Sequence, residues 1–157
     1  MEKYLESYLE KCSITYKEYS HKPVFTVEES RLIKEKIPAV HTKCLFLKDD
    51  SSRFYLVAIQ ANKRLDIKLL KSRFLLKKLF FASPEELKEN LNLTPGSVSI
   101  FGMINAKNVR LIIDNDLYNA ESVGFHPNLN TSTLVLDNQN LKRFLSSLNI
   151  NIEIMQL

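Results

Sequence analysis

The sequence predicts an α+β fold in which one domain, residues 1–157, forms a mixed β-sheet flanked by helices. Segments with helical spacing of apolar residues alternate along the chain with short runs of β-branched and aromatic residues. Two capping boxes mark helix starts, and no repeat, linker or low-complexity segment divides the chain. A chain of this length usually forms one domain that buries roughly 68–70% of its unfolded surface, which leaves room for an internal pocket.

The first elements are two helices separated by a strand. Apolar residues at positions i, i+3, i+4 and i+7 from Leu5 onward predict an amphipathic helix, and residues 14–19 follow as a strand. The capping box Thr26-Val-Glu-Glu29 opens the second helix. We expect that helix to end near Lys36, because the residue before Pro38 is disfavoured in the α region.

The middle of the chain predicts a hairpin followed by a short helix. Cys44–Leu47 and Phe54–Ile59 flank a polar turn and are typical of two antiparallel strands. Asp66 is placed to cap a short basic helix, and Lys77–Phe81 predicts a further strand.

The second half begins with a strongly marked helix. Ser83 is expected as the N-cap, Pro84 occupies the first helical position, and Glu86 completes a capping box, so the helix should run to about Leu91. A final helix is predicted from Asn138. The remaining strands are predicted at Val98–Phe101, Val109–Ile113, Ser132–Leu136 and Asn151–Met155.

The composition excludes several classes of protein. No window approaches the roughly 18 apolar residues of a membrane span, and the first residues lack the apolar core of a signal peptide, so we expect a cytoplasmic protein with no membrane partner. Cys12 and Cys44 form no CxxC pair, and the three histidines have no metal-ligand spacing. The sequence therefore predicts neither a disulfide framework nor a metal site.

The segment Gly96-Ser-Val-Ser-Ile-Phe-Gly102 is the predicted ligand loop. It holds two of the three glycines of the chain together with two serines. Because glycine has no Cβ, backbone can approach a ligand closely there and present N–H groups to it. The alternative is an ordinary tight turn before a strand.

A basic segment follows the predicted hairpin. The stretch from Lys63 to Lys78 contains seven lysines and arginines and only one acid, Asp66. Such a segment is able to follow a phosphate backbone, although a solvated helix face explains the charge equally well. The candidate nucleic-acid contacts are Lys63, Arg64, Lys68, Lys71 and Lys77.

Four ordered blocks carry a family resemblance: His41–Leu47, Phe80–Leu87, Leu93–Asn105 and Phe125–Thr131. Together they resemble the YbaK-like aminoacyl-tRNA deacylases, and most closely the free-standing prolyl-tRNA editing proteins. The resemblance implies a mixed sheet flanked by helices, a pocket for a small aminoacyl group, and hydrolysis of the ester on the terminal ribose of misacylated tRNA. It also implies alanyl-tRNA(Pro) as substrate, prolyl-tRNA synthetase as a further partner, and no metal or cofactor.

The resemblance assigns roles to particular residues. Lys43 matches the functional lysine of the family, and as a donor-only cation it would hold the acyl carbonyl or the terminal phosphate while charge develops on the ester oxygen. Without the resemblance, Lys43 is typical of an exposed lysine at the start of a strand, and His126 of a loop residue. His21 and His41 are weaker candidates. The expected substrate-binding residues are Cys44, Gly96, Ser97, Val98, Ser99, Ile100, Phe101, Gly102, His126, Asn130 and Thr131.

Two positions depart from the family pattern. Ile100 stands where a proline usually ends the Gly-x-x-x-Pro loop, so the backbone gains an N–H that needs a partner. Cys44 stands where the editing proteins commonly carry asparagine, and a thiol is a weaker donor and acceptor than an amide. No histidine and acid beside Cys44 support a cysteine nucleophile. The resemblance implies water as the nucleophile, assisted by the ribose hydroxyl of the substrate.

These departures keep two other functions open. The first is an inactive homologue that binds aminoacyl-tRNA or a synthetase without hydrolysing the ester. The second is a small-molecule sensor that uses the same pocket.

Overall fold

A computed structural model of the chain describes residues 1–23 and 26–157. The described helices are α1 (Lys3–Lys11), α2 (Val27–Lys36), α3 (Ile67–Arg73), α4 (Pro84–Leu91), α5 (Asn115–Tyr118), α6 (Asn138–Ser147) and a 3-10 helix (Ile100–Asn105). The described strands are β1 (Lys17–Ser20), β2 (Val40–Asp49), β3 (Phe54–Gln60), β4 (Leu79–Phe81), β5 (Val109–Asp114), β6 (Ser122–Phe125), β7 (Ser132–Asp137) and β8 (Ile152–Met155).

The strands form one mixed sheet in the order β1-β7-β6-β2-β3-β5-β8, and β4 pairs with β2 beside that path. The pairs β1–β7, β7–β6, β2–β3 and β2–β4 are antiparallel, whereas β6–β2, β3–β5 and β5–β8 are parallel. The expectation of a mixed sheet flanked by helices is confirmed. No helix among the described residues is both long and apolar enough to cross a membrane.

The sheet buries side chains on both faces. On one face, the main core joins α1, α4, α5, α6 and the 3-10 helix to the sheet, with Phe101 packed edge-on against Phe125 and Phe144. On the other face, a smaller core places Leu70 of α3 against Leu47 and Val57. Because successive strand residues alternate between faces, residues of β2 that differ by two positions share a face.

Local sequence signals set several element boundaries as predicted. Thr26 accepts a hydrogen bond from Glu29 N at the start of α2, and Asp66 accepts one from Leu69 N at the start of α3. At α4 the full capping box forms between Ser83 and Glu86. These side chains satisfy backbone N–H groups that have no partner within the first helical turn.

The predicted strand Val98–Phe101 is wrong, because a 3-10 helix begins at Ile100. The Ser99 side chain accepts a hydrogen bond from Phe101 N, and this local bond competes with an extended backbone. Gly102 then lies so close to Leu93 that an added Cβ would stand 2.6 Å from Leu93 Cδ1. Gly102 therefore serves close packing inside the core rather than approach to a ligand.

Other boundaries also differ from prediction. The strand predicted at residues 14–19 begins at Lys17, because Thr15 N donates to the side chain of Asn140 instead of to a strand. The strand predicted from Lys77 begins at Leu79. The sequence analysis missed α5 and β6, each only 4 residues long.

Strand β2 has an interrupted edge. On the edge away from β3, β2 pairs with β6 at Val40 and His41 and with β4 at residues 47–49. Within the described chain, residues 42–45 have no strand partner on that edge, and we call this stretch the β2 seam. Ala61 N donates to His41 O on the β3 side, and Ala82 N donates to Phe46 O on the other side. By alternation, Cys44 therefore turns its backbone N–H and C=O groups into the seam, whereas Thr42 is tied to β6, because its hydroxyl donates to Gly124 O at 2.7 Å.

Candidate active site

A small cavity of about 160 Å³ opens where α2 crosses the end of the seam. Helix α2 supplies one wall, the start of β2 supplies the floor, and the turn between β6 and β7 closes the far side. The lining residues are His21, Ser30, Ile33, Lys34, His41, Thr42, Gly96, Gly124, Phe125, His126, Asn130 and Thr133.

All three histidines of the chain line this cavity, although their sequence spacing gave no reason to group them. His126 Nδ1 lies 3.1 Å from Ser132 O, and His41 Nε2 lies 3.1 Å from Lys34 O. A carbonyl oxygen only accepts, so each of these ring nitrogens carries the proton. In the neutral rings, His126 Nε2 and His41 Nδ1 are then left as acceptors.

Both of these histidines are held neutral at pH 7. Burial lowers the pKa of His126, and the charges of His21 and Lys34 lower it further against the hydrogen bond to Ser132. Burial also lowers the pKa of His41, assisted by Lys34 and His126 and opposed by the bonds to Ile37 and Lys34 carbonyls. Lys34 thus acts on both imidazoles from the α2 wall.

The rings of His21 and His126 meet edge-on with centroids 6.2 Å apart. His21 Nε2 lies 3.1 Å from Thr133 Oγ1, and His21 N donates to Thr131 O. These contacts fix the chain after β1 against the start of β7. Thr131 itself is exposed and does not line the cavity, whereas its neighbour Asn130 does.

Lys43 lies beside the cavity rather than in its wall. It pairs with Ile59 of β3 and shares a face of β2 with His41, which is two residues earlier. Its side chain is partly buried, and within the described chain it makes no ion pair or hydrogen bond. A cation with no protein partner next to a cavity is available to a ligand.

Cys44 projects to the opposite face and meets the 3-10 helix. Burial raises the pKa of the Cys44 thiol to about 12, against a hydrogen bond from the backbone of Ile100 that lowers it. Only a donor favours the thiolate, so the group at Ile100 is its N–H. A thiol with this pKa is not a nucleophile at neutral pH.

The predicted ligand loop divides into two parts. Gly96 lines the cavity with φ +87°, the left-handed region that favours glycine, and Ser97 and Val98 are partly buried behind it. From Ser99 to Gly102 the chain is buried in the core. Ile100, Phe101 and Gly102 are thus placed to support the site from behind, without lining the cavity.

The basic segment also divides. Lys63 Nζ lies 2.8 Å from Asp114 Oδ2 and 2.5 Å from Asp116 Oδ2, so its charge is neutralised by acids of the protein. The other candidate contacts, which we call the basic face, are Arg64, Lys68, Lys71 and Lys77, and they form no ion pair in the described structure. Helix α3, which carries two of them, packs on the face of β2 that Lys43 shares.

Sequence reasoning missed part of the α2 wall. Ser30, Ile33 and Lys34 stand at i, i+3 and i+4, so helical geometry puts them on one face of α2. That spacing was readable from the sequence, but nothing local indicated that this face covers a cavity.

Sequence comparisons group the chain with tRNA editing proteins. Residues 21–144 match the sequence model of the aminoacyl-tRNA editing domain family. The prolyl-tRNA editing protein ProX of Acetoanaerobium sticklandii is 34% identical over 142 residues, covering 88% of this chain and 87% of the relative. The prolyl-tRNA synthetase associated domain-containing protein 1 of Danio rerio is 30% identical over 149 residues, covering 92% and 81%.

Solved structures share the fold. A crystal structure described as a proposed trans-editing enzyme for prolyl tRNA synthetase superposes with TM-score 0.76 at 16% identity, covering 100% of this chain and 98% of that one. A hypothetical protein superposes with TM-score 0.77 at 20% identity, covering 97% of both chains. At these identities the likeness concerns the fold alone.

Proposed function

Because the chain belongs to the aminoacyl-tRNA editing domain family, we propose that it is a deacylase acting in trans on misacylated tRNA, with alanyl-tRNA(Pro) as its substrate. The ProX relative is named for prolyl-tRNA editing, which favours tRNA(Pro) as the carrier. Charged tRNA is made in the cytoplasm, so we propose that location for the activity. No metal or cofactor is included in the proposal.

The size of the cavity is the observation that carries this proposal. Its volume of about 160 Å³ lies well below the roughly 300–1,000 Å³ typical of pockets for drug-sized ligands. It therefore suits a small acyl group. A synthetase pocket built for proline rejects a smaller amino acid by only about 1–3 kcal/mol for each missing methylene. A second, smaller pocket in an editing protein then hydrolyses the smaller amino acid that the synthetase attached by mistake.

The proposed reaction is attack of water on the acyl carbon. Lys43, which lies beside the cavity and lacks a protein partner in the described chain, stabilises the charge that develops on the ester oxygen. In this proposal the backbone of Gly96, which lines the cavity, orients the acyl group. The ribose hydroxyl of the substrate assists water.

The basic face provides a path for the RNA. Lys43 and Leu47 share a face of β2, and Leu47 packs against Leu70 of α3, so about 13 Å of strand separates Lys43 from the basic helix. A tRNA whose 3′ end lies at Lys43 is thus able to place backbone phosphates on the basic face. Prolyl-tRNA synthetase is the proposed source of the mischarged tRNA and a further partner.

A deacylation panel tests the proposal. Purified protein is incubated with alanyl-, cysteinyl-, seryl- and prolyl-tRNA(Pro), and loss of the labelled amino acid is followed. We expect alanyl-tRNA(Pro) to be hydrolysed fastest and prolyl-tRNA(Pro) to be spared. If none is hydrolysed, binding of uncharged tRNA separates the two other functions, because an inactive tRNA-binding homologue binds RNA and a small-molecule sensor does not.

A further inference from the structure

We infer that the cavity binds the acyl group with its α-amine uncharged rather than as an ammonium, and that the protein therefore also hydrolyses α-hydroxyacyl esters of tRNA. Lactyl-tRNA, in which a hydroxyl replaces the amine of alanyl-tRNA, is the simplest member of that class. This inference rests on the proposed function and extends its substrate class.

The charge of the cavity wall is the first observation. Among its described lining residues there is no aspartate or glutamate. The ionisable groups that face the space are His21 from the chain after β1, Lys34 from α2, His41 from β2 and His126 from the turn after β6. Lys43 stands beside them on the same strand face as His41. A substrate ammonium placed here meets cations and neutral rings but no carboxylate.

Two acids of α2, Glu29 and Glu35, stand next to lining residues in sequence, and neither is among the described residues that line the cavity. Glu29 lines a neighbouring groove together with Leu32 and Lys36, and that groove shares His21 and Ile33 with the cavity. Glu29 is not part of the cavity wall. Glu29 precedes Ile33 by one helical turn, so it stands at the edge of the face that Ser30, Ile33 and Lys34 form, on the groove side with Lys36.

The available acceptors are the second observation. His126 Nε2, His41 Nδ1 and the side chain of Asn130 are neutral acceptors in the cavity. A neutral amine and a hydroxyl each offer an N–H or O–H to such a group. A carboxylate would bind the ammonium much more strongly than the hydroxyl, through a charge-assisted hydrogen bond. The neutral acceptors of this cavity do not distinguish a neutral amine from a hydroxyl by charge.

The reaction is the same for both esters. The oxygen of water forms a bond to the acyl carbon, the bond between that carbon and the ribose oxygen breaks, and the ribose oxygen takes up a proton. The products are tRNA with a free terminal ribose and either alanine or lactate. No oxidant, reductant or co-reactant besides water is needed.

The experiment compares two substrates that differ only in this group. Alanyl-tRNA(Pro) is divided, one half is converted to lactyl-tRNA(Pro) with nitrous acid, and both are assayed from pH 6.0 to 8.5 after subtraction of uncatalysed hydrolysis. We expect lactyl-tRNA to be hydrolysed. We also expect the rate on alanyl-tRNA to fall about tenfold per pH unit below the amine pKa of about 7.7–8.0, relative to the lactyl rate. Titration of protein groups away from the α-substituent affects both substrates and cancels in the ratio.

Two variants of α2 form a matched pair. Lys34→Glu places a carboxylate on the cavity wall, so at pH 6.5 it should raise the ratio of alanyl to lactyl hydrolysis by about threefold or more. Lys36→Glu makes the same charge change two residues away on the groove side and should leave the ratio unchanged. Because both residues are exposed, both variants are expected to fold.

The outcomes separate the inference from the proposed function. Hydrolysis of alanyl-tRNA with no hydrolysis of lactyl-tRNA overturns the inference and leaves the deacylase proposal standing. A flat ratio across pH also overturns it, because the ammonium would then be accepted as readily as the amine. If neither ester is hydrolysed, the deacylase proposal falls and the inference falls with it.

Discussion

The thiol of Cys44 accepts a hydrogen bond from the backbone N–H of Ile100, so the two positions that depart from the editing-domain pattern are in contact. Ile100 begins the 3-10 helix, and its side chain is completely buried. An isoleucine at this position adds an N–H that a proline lacks, and the sulfur of Cys44 receives it. The two departures from the family pattern are therefore neighbours in the structure.

This hydrogen bond changes what a proline at position 100 should do. The sequence alone predicts that Ile100→Pro stabilises the protein by about 0.4–1 kcal/mol if the N–H is free. The N–H is bonded and the side chain is buried, so we expect Ile100→Pro to lower the free energy of unfolding instead. With Cys44→Asn in the same chain, the two effects should be non-additive by about 0.5–3 kcal/mol. Urea unfolding of the four proteins measures this coupling, and strict additivity would show that the hydrogen bond has no energetic weight.

Lys43→Ala should reduce deacylation of alanyl-tRNA(Pro) by about 10²-fold or more, because a charge that stabilises the transition state is removed. The melting temperature should hardly change, since Lys43 has no partner within the described residues. Lys88→Ala, at an exposed position of α4, is the matched control and should retain full activity. If Lys43→Ala is as active as Lys88→Ala, then Lys43 has no part in the mechanism.

Neutralising the basic face should weaken tRNA binding in a salt-dependent way. Replacing Lys68, Lys71 and Lys77 with glutamine should reduce the slope of log affinity against log salt concentration by roughly 0.7–0.9 for each phosphate that the variant no longer neutralises. Turnover at saturating tRNA should survive. The control triple variant replaces the exposed Lys3, Lys11 and Lys88, whose helices pack on the other face of the sheet. Equal slopes for the two triple variants would place the RNA elsewhere.

Prolonged chelation should leave both the fold and the deacylase activity unchanged. The described chain holds no group of three or more histidine, cysteine or acidic side chains arranged to bind a metal ion. Activity and circular dichroism are compared before and after dialysis against EDTA. Loss of activity that zinc restores would show that the proposed metal-independent mechanism is incorrect.

The ionisation of Asp49 should make the stability of the β2–β3 hairpin depend on pH. Burial opposes ionisation of this carboxyl, but hydrogen bonds from Arg53, Tyr55 and Ser51 outweigh it and lower its pKa. A carboxyl with a lowered folded pKa stabilises the protein above its unfolded value of about 3.9, and the contribution is lost as pH falls through the folded pKa.

Asp49→Asn should therefore reduce the free energy of unfolding by about 1–3 kcal/mol at pH 7, and the difference from the parent should shrink below about pH 4. Urea unfolding at several pH values measures both effects. Asp50→Asn, at the exposed neighbouring position, is the control and should have little effect. A difference that persists undiminished at pH 3 would mean that ionisation of Asp49 is not what stabilises the turn.

The elements that were predicted correctly carry their signals locally. The capping residues Ser83 and Asp66 bond to backbone within three residues, so the sequence alone indicates them. The strand predicted at residues 98–101 failed because the Ser99 side chain accepts from Phe101 N at the start of the 3-10 helix, and that helix packs against elements distant in sequence. Alternation of side chains cannot reveal such packing.

The candidate site shows the same division. The resemblance indicates Gly96, His126 and Asn130, and the structure brings these three to one cavity. The sequence analysis gives less weight to His21 and His41 and none to Lys34. The grouping of these three residues depends on where α2 crosses the sheet, which the sequence does not show. Lys63 is a candidate on charge alone, and its partners Asp114 and Asp116 are about 50 residues away in sequence.

The interrupted edge of β2 also decides what holds the two walls of the cavity together. Two residue pairs join β6 to β2, whereas seven pairs join β2 to β3. The hydroxyl of Thr42 adds a side-chain bond across this short ladder, because it donates to Gly124 O of β6 at 2.7 Å. Val123 and Phe125 of β6 also lie in the main core with the rest of the sheet. The width of the cavity therefore depends on this side-chain bond and on the shared core, and not on the backbone ladder alone.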